Sequence, residues 1–146
     1  MRIAMGSDHA GYFAKESLKR LLKKDHEIID MGTSSEEPVD YPDYAAKVAE
    51  AVAKGQADRG ILICGTGVGM CISANKVHGI RAALCHDEET AKLSRQHNDA
   101  NVLCMGARVT ATRKMEIIMH IWLNTQFEGE RHKARVEKMM ALEVKQ

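Results

Sequence analysis

Short apolar runs alternate with helical patterns along the whole chain. Five of the runs are predicted to be strands, because they are brief, rich in aliphatic residues and bounded by glycine or polar residues. They cover residues 2–6, 27–31, 60–63, 80–85 and 101–105. The segments that follow repeat apolar residues at the spacing of an amphipathic helix, over about 12–24, 42–55, 68–74, 87–96 and 112–122. A last helical pattern runs from about Glu130 to Val144.

Five alternations of strand and helix predict an α/β fold: a doubly wound, five-stranded parallel sheet with helices on both faces, followed by a C-terminal helix. In such a sheet the ligand site lies beyond the carboxyl ends of the strands. Local signals also place helix ends. We expect Pro42 at the first position of the second helix, Gly55 at its C-terminal cap and Asp87 at the start of the fourth helix.

The composition is that of an ordinary globular protein. The 146 residues suit a single domain spanning 1–146, and the formal net charge of +1 comes without a basic stripe or many aromatic residues. We therefore expect no nucleic-acid partner. No long apolar span and no signal peptide is visible, so we expect a soluble cytoplasmic protein with no membrane partner. The four cysteines show no paired spacing typical of a metal site, and no metal is expected.

A glycine loop follows the third predicted strand. Its residues are Gly65, Thr66, Gly67, Val68 and Gly69. A strand that turns through such a loop into a helix presents several backbone N–H groups at one point, where they can hold a phosphate, another anion or a developing oxyanion. The alternative is a tight turn that simply needs small residues.

Cys64 lies at the mouth of this loop, one residue before its first glycine. A thiol near a helix N-terminus can act as a base or nucleophile. A cysteine that ends a buried strand can equally be an inert small hydrophobe, and this stretch alone leaves both interpretations open.

The first predicted strand is followed by Asp8 and His9. They are candidates for orienting a ligand, with the carboxylate on sugar hydroxyls and the imidazole on a phosphate or hydroxyl. Asp8 could instead form an Asx turn that caps the helix. Dinucleotide binding is disfavoured, because the turn from Gly6 to Gly11 lacks the middle glycine and carries a carboxylate where a pyrophosphate would approach. The glycine loop also lacks the Gly-Lys-Ser/Thr ending of a P-loop, and we expect no cofactor.

Further polar candidates lie later in the chain. His97 and Asn98 follow the fourth helix, where a histidine can be a general acid or base near neutral pH or merely a solvated end residue. Arg131 and Arg135 are four residues apart and share one helix face, which suits either a phosphate clamp or a solvated basic face. Arg108 follows the fifth strand and is a further candidate for a phosphate or hydroxyl.

Taken together, six short motifs in this order and spacing closely resemble the ribose-5-phosphate isomerases of the B type. That family also includes galactose-6-phosphate and allose-6-phosphate isomerases. The resemblance extends from Arg2 to about Arg135 and implies a Rossmann-like fold. The motifs are Gly6–Gly11, Asp40–Pro42, Gly60–Gly69, Ala74–Lys76, Ser94–Asn101 and Gly129–Arg135.

The resemblance implies that Cys64 is the base that moves a proton between C1 and C2 of an open-chain sugar phosphate. Some members of the family use a glutamate further along the loop, where this chain has Val68, Gly69 or Met70. The N–H groups of Gly65 to Gly69 would stabilise the enediolate, with Thr66 as a proton relay.

The resemblance also implies roles for the other candidates. His97, helped by Asp8, would open the furanose ring, and Asn98 would bind the substrate. The phosphate would be held by His9, Arg131 and Arg135, with Arg108 as a further contact. The family is dimeric or a dimer of dimers, so His97, Asn98 and the arginines are expected to reach the site partly across a subunit interface.

Three hypotheses follow. The leading one is a cofactor-free isomerase that interconverts ribose 5-phosphate and ribulose 5-phosphate. The second keeps the chemistry but takes a six-carbon substrate, allose or galactose 6-phosphate. The third is a non-catalytic anion-binding module, which would bind a ligand without turnover.

Overall fold

The computed structural model describes residues 1–145 and contains one five-stranded sheet. The strands are β1 (Arg2–Ser7), β2 (Glu27–Asp30), β3 (Arg59–Cys64), β4 (Ala82–Leu84) and β5 (Val102–Gly106). The helices are α1 (Tyr12–Leu22), α2 (Tyr41–Ala53), α3 (Val68–Ala74), α4 (Glu88–Gln96), α5 (Thr112–Asn124) and α6 (Glu130–Ala141), followed by a 3₁₀ turn at Leu142–Lys145.

All neighbouring strands are parallel, in the order β2-β1-β3-β5-β4. The chain goes from β1 outward to β2 and then returns to β3 on the other side of β1. The strand order therefore reverses between β1 and β3. Ligands of open α/β sheets bind at the carboxyl ends of the strands at such a point. The segments that follow β1 and β3, which carry Asp8 and Cys64, meet there.

Helices cover both faces of the sheet, as predicted. Alternate residues of the strands point to opposite faces, so Ile61 and Ile63 of β3 join one apolar cluster and Leu62 and Cys64 join the other. The first cluster is completed by α1, α4 and α5, with Trp122 wholly buried in it. The second is completed by α2 and α3. The sheet is thus buried on both sides, which fits its continuous apolar strands.

Some predicted boundaries differ from the structure. The fourth strand is shorter than the predicted 80–85, because the N–H of Ile80 closes a turn to the carbonyl of Val77 and the N–H of Arg81 donates to the side chain of Asn101. Pro42 is the second residue of α2, not the first. The last helix ends at Ala141 and tightens into the 3₁₀ turn instead of continuing to Val144.

Two predicted helix caps are present. The Asp87 carboxylate accepts a 2.7 Å hydrogen bond from the N–H of Thr90 and so caps α4. Gly55 follows the end of α2 with a φ of +70°, the left-handed conformation that favours glycine there.

A buried ammonium group ties α1 to the end of β2. The side chain of Lys15 is only 1% exposed, and its Nζ lies 2.8 Å from an oxygen of Asp30 and 2.9 Å from an oxygen of Glu16. Lys19 bonds to both carboxylates as well. Burial acts to raise the pKa of Asp30, but hydrogen bonds from Lys15, Lys19 and the N–H of Gly32 outweigh it and lower that pKa to about 2. The network anchors the chain as it leaves β2.

Candidate active site

Cys64 and the glycine loop form the centre of the candidate site. Cys64 is the last residue of β3 and only 4% exposed, and its sulfur accepts a 3.1 Å hydrogen bond from the N–H of Gly67. Gly67 has a φ of +81°, and a Cβ there would come within 2.8 Å of the carbonyl carbon of Met105. Only glycine meets both requirements, and its position brings a backbone N–H onto the thiol.

The loop leads directly into α3, whose first backbone bond runs from the N–H of Cys71 to the carbonyl of Gly67. The N–H groups of the first turn therefore have no partner within the helix. Thr66 is exposed at the tip, and its hydroxyl oxygen accepts a hydrogen bond of 3.3 Å from the N–H of Val68. The loop thus presents backbone donors and one hydroxyl toward the carboxyl edge of the sheet.

The segment after β5 packs directly on this loop. The N–H of Ala107 donates to the carbonyl of Cys64 at 2.8 Å, and the N–H of Arg108 donates to the carbonyl of Gly65 at 2.9 Å. The guanidinium of Arg108 lies over Gly65, within 3.2 Å of where a Cβ would be. Arg108 is therefore a cation beside the glycine loop, as the sequence predicts.

Asp8 and His9 lie on the other side of β3. The N–H of Asp8 donates to the carbonyl of Ile63, and the Asp8 carboxylate accepts a 3.1 Å hydrogen bond from the N–H of Gly11. The bond spans three residues and reaches the N-cap residue of α1, so it closes the turn but is not the helix-capping Asx turn that the sequence left as an alternative. It holds a carboxylate, 6% exposed, at the same edge as the thiol.

The orientation of His9 is set by backbone. Its Nδ1 accepts a 3.2 Å hydrogen bond from the N–H of Val39. In the neutral ring the proton is therefore assigned to Nε2, which leaves a donor for a ligand oxygen.

Glycines let these loops meet without side chains between them. A Cβ on Gly11 would come within 2.4 Å of the carbonyl oxygen of Ile63, and a Cβ on Gly106 within 2.4 Å of the carbonyl carbon of Thr66. The turns after β1, β3 and β5 are thus in backbone contact.

Tyr41 also lies beside the glycine loop, although no role for it follows from the sequence. Its ring lies against Gly69, where a Cβ would come within 2.6 Å of two ring atoms, and the residue is 41% exposed. It begins α2, so the polar loop before it folds back across the carboxyl edge. The motif Asp40–Pro42 was the only signal, and its spacing alone did not indicate contact with the glycine loop.

A second group of candidates lies at the opposite, amino edge of the sheet. His97 caps the end of α4 just before β5 begins. Its ring stacks on that of His132, with centroids 4.1 Å apart and planes 12° from parallel. Asn98, Arg131 and Arg135 are exposed nearby, on the turn after α4 and on α6.

The turn that carries His97 and Asn98 is stabilised by hydrogen bonds from two arginine side chains. Asp99 has a φ of +47°, and its carboxylate accepts hydrogen bonds from Arg95 at 2.8 Å and from Arg81 at 3.3 Å. Arg95 is 2% exposed and also donates to the carbonyl of Ala100. Two guanidiniums thus stabilise a left-handed residue next to the candidates.

One chain therefore does not bring all the predicted site residues together. The carboxyl-edge group consists of Asp8, His9, Cys64, Gly65, Thr66, Gly67, Val68, Gly69 and Arg108. The amino-edge group consists of His97, Asn98, Arg131 and Arg135. The strands separate the two groups.

Among the residues that the structure describes, His97, Glu128 and His132 form a group that could be considered for a metal. Their candidate ligand atoms lie within 4.8 Å of one another. However, the two rings are stacked, so their lone pairs run side by side instead of converging on one point. The Nε2 of His132 also accepts a hydrogen bond from the Nε of Arg131. The arrangement is that of a polar cluster and not of a metal centre.

The sheet and its carboxyl-edge loops define a class: an open α/β protein with a glycine loop and a thiol at the switch point. Within residues 1–145, no helix is both long and apolar enough to cross a membrane. Residues 3–139 match the family model described as Ribose/Galactose Isomerase, so the chain belongs to that family.

Relatives and solved structures agree with this membership. The chain is 52% identical to ribose-5-phosphate isomerase B of Escherichia coli, over 97% of this chain and 96% of that protein. A structure of Clostridium thermocellum ribose-5-phosphate isomerase B is 51% identical and matches with a TM-score of 0.98, over 99% of each chain. That of the Mycoplasma genitalium enzyme with bound ribulose-5-phosphate is 42% identical, with a TM-score of 0.94 over 99% of this chain and 97% of that one.

Proposed function

We propose that the protein is an aldose–ketose isomerase that interconverts ribose 5-phosphate and ribulose 5-phosphate. The observation that carries the proposal is the Cys64 thiol, held by the N–H of Gly67 at the mouth of a loop of backbone donors. Full-length similarity to the Escherichia coli enzyme supports the choice of reaction. The bound ribulose-5-phosphate of the Mycoplasma genitalium enzyme supports the choice of sugar.

The chemistry follows from these parts. The Cys64 thiolate removes the proton from C2 of the open-chain aldose, and the electron pair moves into an enediolate between C1 and C2. The same group, now protonated, returns the proton to C1, and C2 becomes the ketone. The loop N–H groups stabilise the negative oxygen, since preorganised donors act where charge develops. Thr66 is placed at the loop tip to relay the hydroxyl proton.

Binding and ring opening are assigned to the remaining residues. Asp8, buried beside the thiol, orients sugar hydroxyls, and His9 offers its Nε2 proton to a substrate oxygen. His97 opens the furanose ring, Asn98 binds the sugar, and Arg131 and Arg135 hold the phosphate. Arg108 adds a cation over Gly65.

We propose that the site is completed by a second copy of the chain. His97 and the arginines lie at the amino edge of the sheet and Cys64 lies at the carboxyl edge, so a partner must supply the amino-edge group. An exposed apolar surface beside the loop, formed by Val68 and Ile72 of α3, is available for that contact. A homodimer, alone or as part of a dimer of dimers, gives two equivalent sites.

The test is an isomerase assay on the purified protein with ribose 5-phosphate and, in reverse, ribulose 5-phosphate. The Cys64→Ala variant should abolish turnover. The matched control is Cys85→Ala, since the thiol of Cys85 lies in the core and burial raises its pKa to about 11. Absence of turnover by the wild-type protein in both directions would refute the proposal and favour an anion-binding module.

A second candidate substrate is a six-carbon sugar phosphate, because the matching family model covers galactose as well as ribose isomerases. Comparing kcat/KM for ribose, allose and galactose phosphates separates the two. A higher value for a six-carbon substrate would change the sugar while leaving the roles of the residues intact.

A further inference from the structure

The imidazole of His132 contacts two groups to which the proposed function gives separate tasks. One face of its ring stacks on His97, with centroids 4.1 Å apart. Its Nε2 accepts a hydrogen bond of 3.4 Å from the Nε of Arg131. His132 itself is only 5% exposed, whereas Arg131 is exposed and the side chain of His97 is 35% exposed. The buried ring of His132 thus contacts two more accessible groups, an imidazole and a guanidinium.

The backbone around His132 is tied to the end of α4. The N–H of Glu128 donates to the carbonyl of Gln96, the residue before His97, at 3.1 Å. The N–H of His132 donates to the carbonyl of Gly129 at 2.9 Å. These bonds connect the start of α6 to the end of α4, next to the two stacked rings.

The side chain of Glu128 joins the same cluster. One of its carboxylate oxygens lies 3.4 Å from the Nε2 of His132 and 4.0 Å from the Nε2 of His97. The carboxylate balances the positive charge of the nearby guanidiniums.

The charge state of His132 suits an accepting role. Burial lowers its pKa, and the neighbouring His97, Arg131 and Arg135 lower it further against the opposing effect of Glu128. These effects favour the neutral ring, which has a lone pair that can accept a hydrogen bond. Because its Nε2 accepts from Arg131, its proton is assigned to Nδ1.

We propose that His132 is a positioning residue of the active site, which fixes the plane of His97 through ring stacking and the orientation of Arg131 through the hydrogen bond at Nε2. The inference rests on the proposed function for the tasks of His97 and Arg131. His132 lies behind both and is not assigned a contact with substrate. The reason for such a device is geometric, since misplacing a reacting group by about 1 Å can cost roughly 100-fold in rate.

Two substitutions separate the two contacts. His132→Phe keeps a flat ring for His97 but offers no acceptor to Arg131. His132→Gln keeps an acceptor at about the same distance from the backbone but offers no ring. His132→Ala removes both, and His120→Ala is the control, because His120 is exposed on α5 and its side chain pairs with that of Asn124.

The kinetic readout is the split between kcat and KM. With His132→Phe, kcat should stay within about threefold of wild type while KM rises about tenfold, the size of one hydrogen bond to a charged group. With His132→Gln, kcat should fall at least about tenfold while KM stays near wild type. The alanine variant should show both changes, and the His120 control neither.

Two measurements do not depend on isomerase activity. Titration with inorganic phosphate should show weaker binding for the Phe variant and near wild-type binding for the Gln variant. In NMR spectra, the ring protons of His97 should shift in the Gln and Ala variants, where the stacked ring is lost, and stay close to wild type in the Phe variant. Thermal unfolding shows whether each variant folds.

The outcomes decide the inference separately from the proposed function. If the wild-type protein has no isomerase activity, the proposed function fails, and the phosphate and NMR measurements still test the positioning. If the Phe and Gln variants show the same changes in kcat and KM while the His97 resonances stay unchanged, the positioning role is wrong. It is also wrong if neither variant differs from wild type.

Discussion

The sulfur of Cys64 lies 3.1 Å from the backbone nitrogen of Gly67, which donates a hydrogen bond to it. This bond aims the thiol at the loop and couples it to the start of α3. In the proposed isomerase site, this fixed sulfur is the group that takes and returns the substrate proton.

Replacing Cys64 with serine should therefore preserve the fold and the hydrogen bond but remove the base. A hydroxyl is a far weaker acid than a thiol, so kcat should fall at least about 100-fold, the lower end for loss of a general base. Titration with ribose 5-phosphate should still show binding near wild type. A Cys64→Ser protein with more than about a tenth of wild-type kcat would mean that another group is the base.

Two glycines with positive φ offer a matched comparison of strain and packing. Gly55 has a φ of +70° and nothing within 4 Å of an added Cβ, whereas Gly67 has a φ of +81° and the backbone of Met105 at 2.8 Å. Gly55→Ala should lower the free energy of unfolding by about 1 kcal/mol, because alanine is strained in the left-handed conformation. Gly67→Ala should cost about 1–3 kcal/mol more, because of overpacking.

Urea unfolding of both variants measures this difference in the free energy of unfolding. Gly67→Ala should also reduce kcat, because it displaces the N–H that bonds to Cys64, while Gly55→Ala should not. Equal unfolding free energies for the two variants would contradict the packing argument.

Because Lys15 is buried, removing its partner Asp30 should lower the free energy of unfolding more than replacing Lys15 itself. Asp30→Ala leaves the ammonium of Lys15 with Glu16 alone, and should destabilise the protein by about 2–3 kcal/mol, somewhat below the range for fully buried pairs because Asp30 is partly exposed. Lys15→Met should cost about 1 kcal/mol or less, since the apolar side chain needs no partner. Urea unfolding at pH 7 decides the order, and Lys15→Met being the more damaging change would overturn the argument.

The carboxylate of Asp30 also makes the stability of the folded protein depend on pH. The pKa of Asp30 in the folded protein is lowered from 3.8 to about 2, so its contribution to stability is present above pH 4 and is lost as the pH falls from 4 to 2. Asp30→Asn should flatten the dependence of Tm on pH in that window. Glu50→Gln is the control: its carboxylate pairs with Lys54 at the exposed surface, where removing one ion pair changes stability little. A Tm curve for Asp30→Asn with the wild-type slope would contradict the assignment.

The separation of Cys64 from His97 predicts complementation between inactive variants. If each site takes Cys64 from one chain and His97 from another, a dimer of one Cys64→Ala chain and one His97→Asn chain contains one intact site. Random mixing by joint refolding should then restore about one quarter of wild-type activity, because half the dimers are mixed and each has one of two sites. Refolding each variant alone should restore none. Continued inactivity of the mixture, with mixed dimers shown by mass spectrometry, would place both residues in one chain's site.

Much of the fold follows from the sequence because its signals are local. The aliphatic runs and the glycine turns after them locate all five strands, and the rule for the carboxyl ends of parallel strands brings Asp8, Cys64 and Arg108 to one edge, where the structure has them. The short β4 was not predictable, since the side chain of Asn101 competes for the N–H of Arg81 from 20 residues away.

The remaining site features depend on contacts between distant segments. The ring of Tyr41 lies against Gly69, and His132 stacks on His97 across 35 positions of sequence, so no periodicity or spacing reveals either. The sequence does show that His97 follows a helix and not a strand. That fact alone separates it from Cys64 within one chain.

Gly11 and Gly106 allow three separate stretches of main chain to touch at the carboxyl edge of the sheet. A Cβ on Gly11 would lie 2.4 Å from the carbonyl oxygen of Ile63 in β3, and one on Gly106 would lie 2.4 Å from the carbonyl carbon of Thr66. A side chain at either glycine would push two loops apart, so these two positions cannot be used to reshape this edge of the sheet. For the proposed isomerase, we therefore expect a redesign for a longer substrate to begin with side chains beside the glycine loop, such as Tyr41 and Arg108.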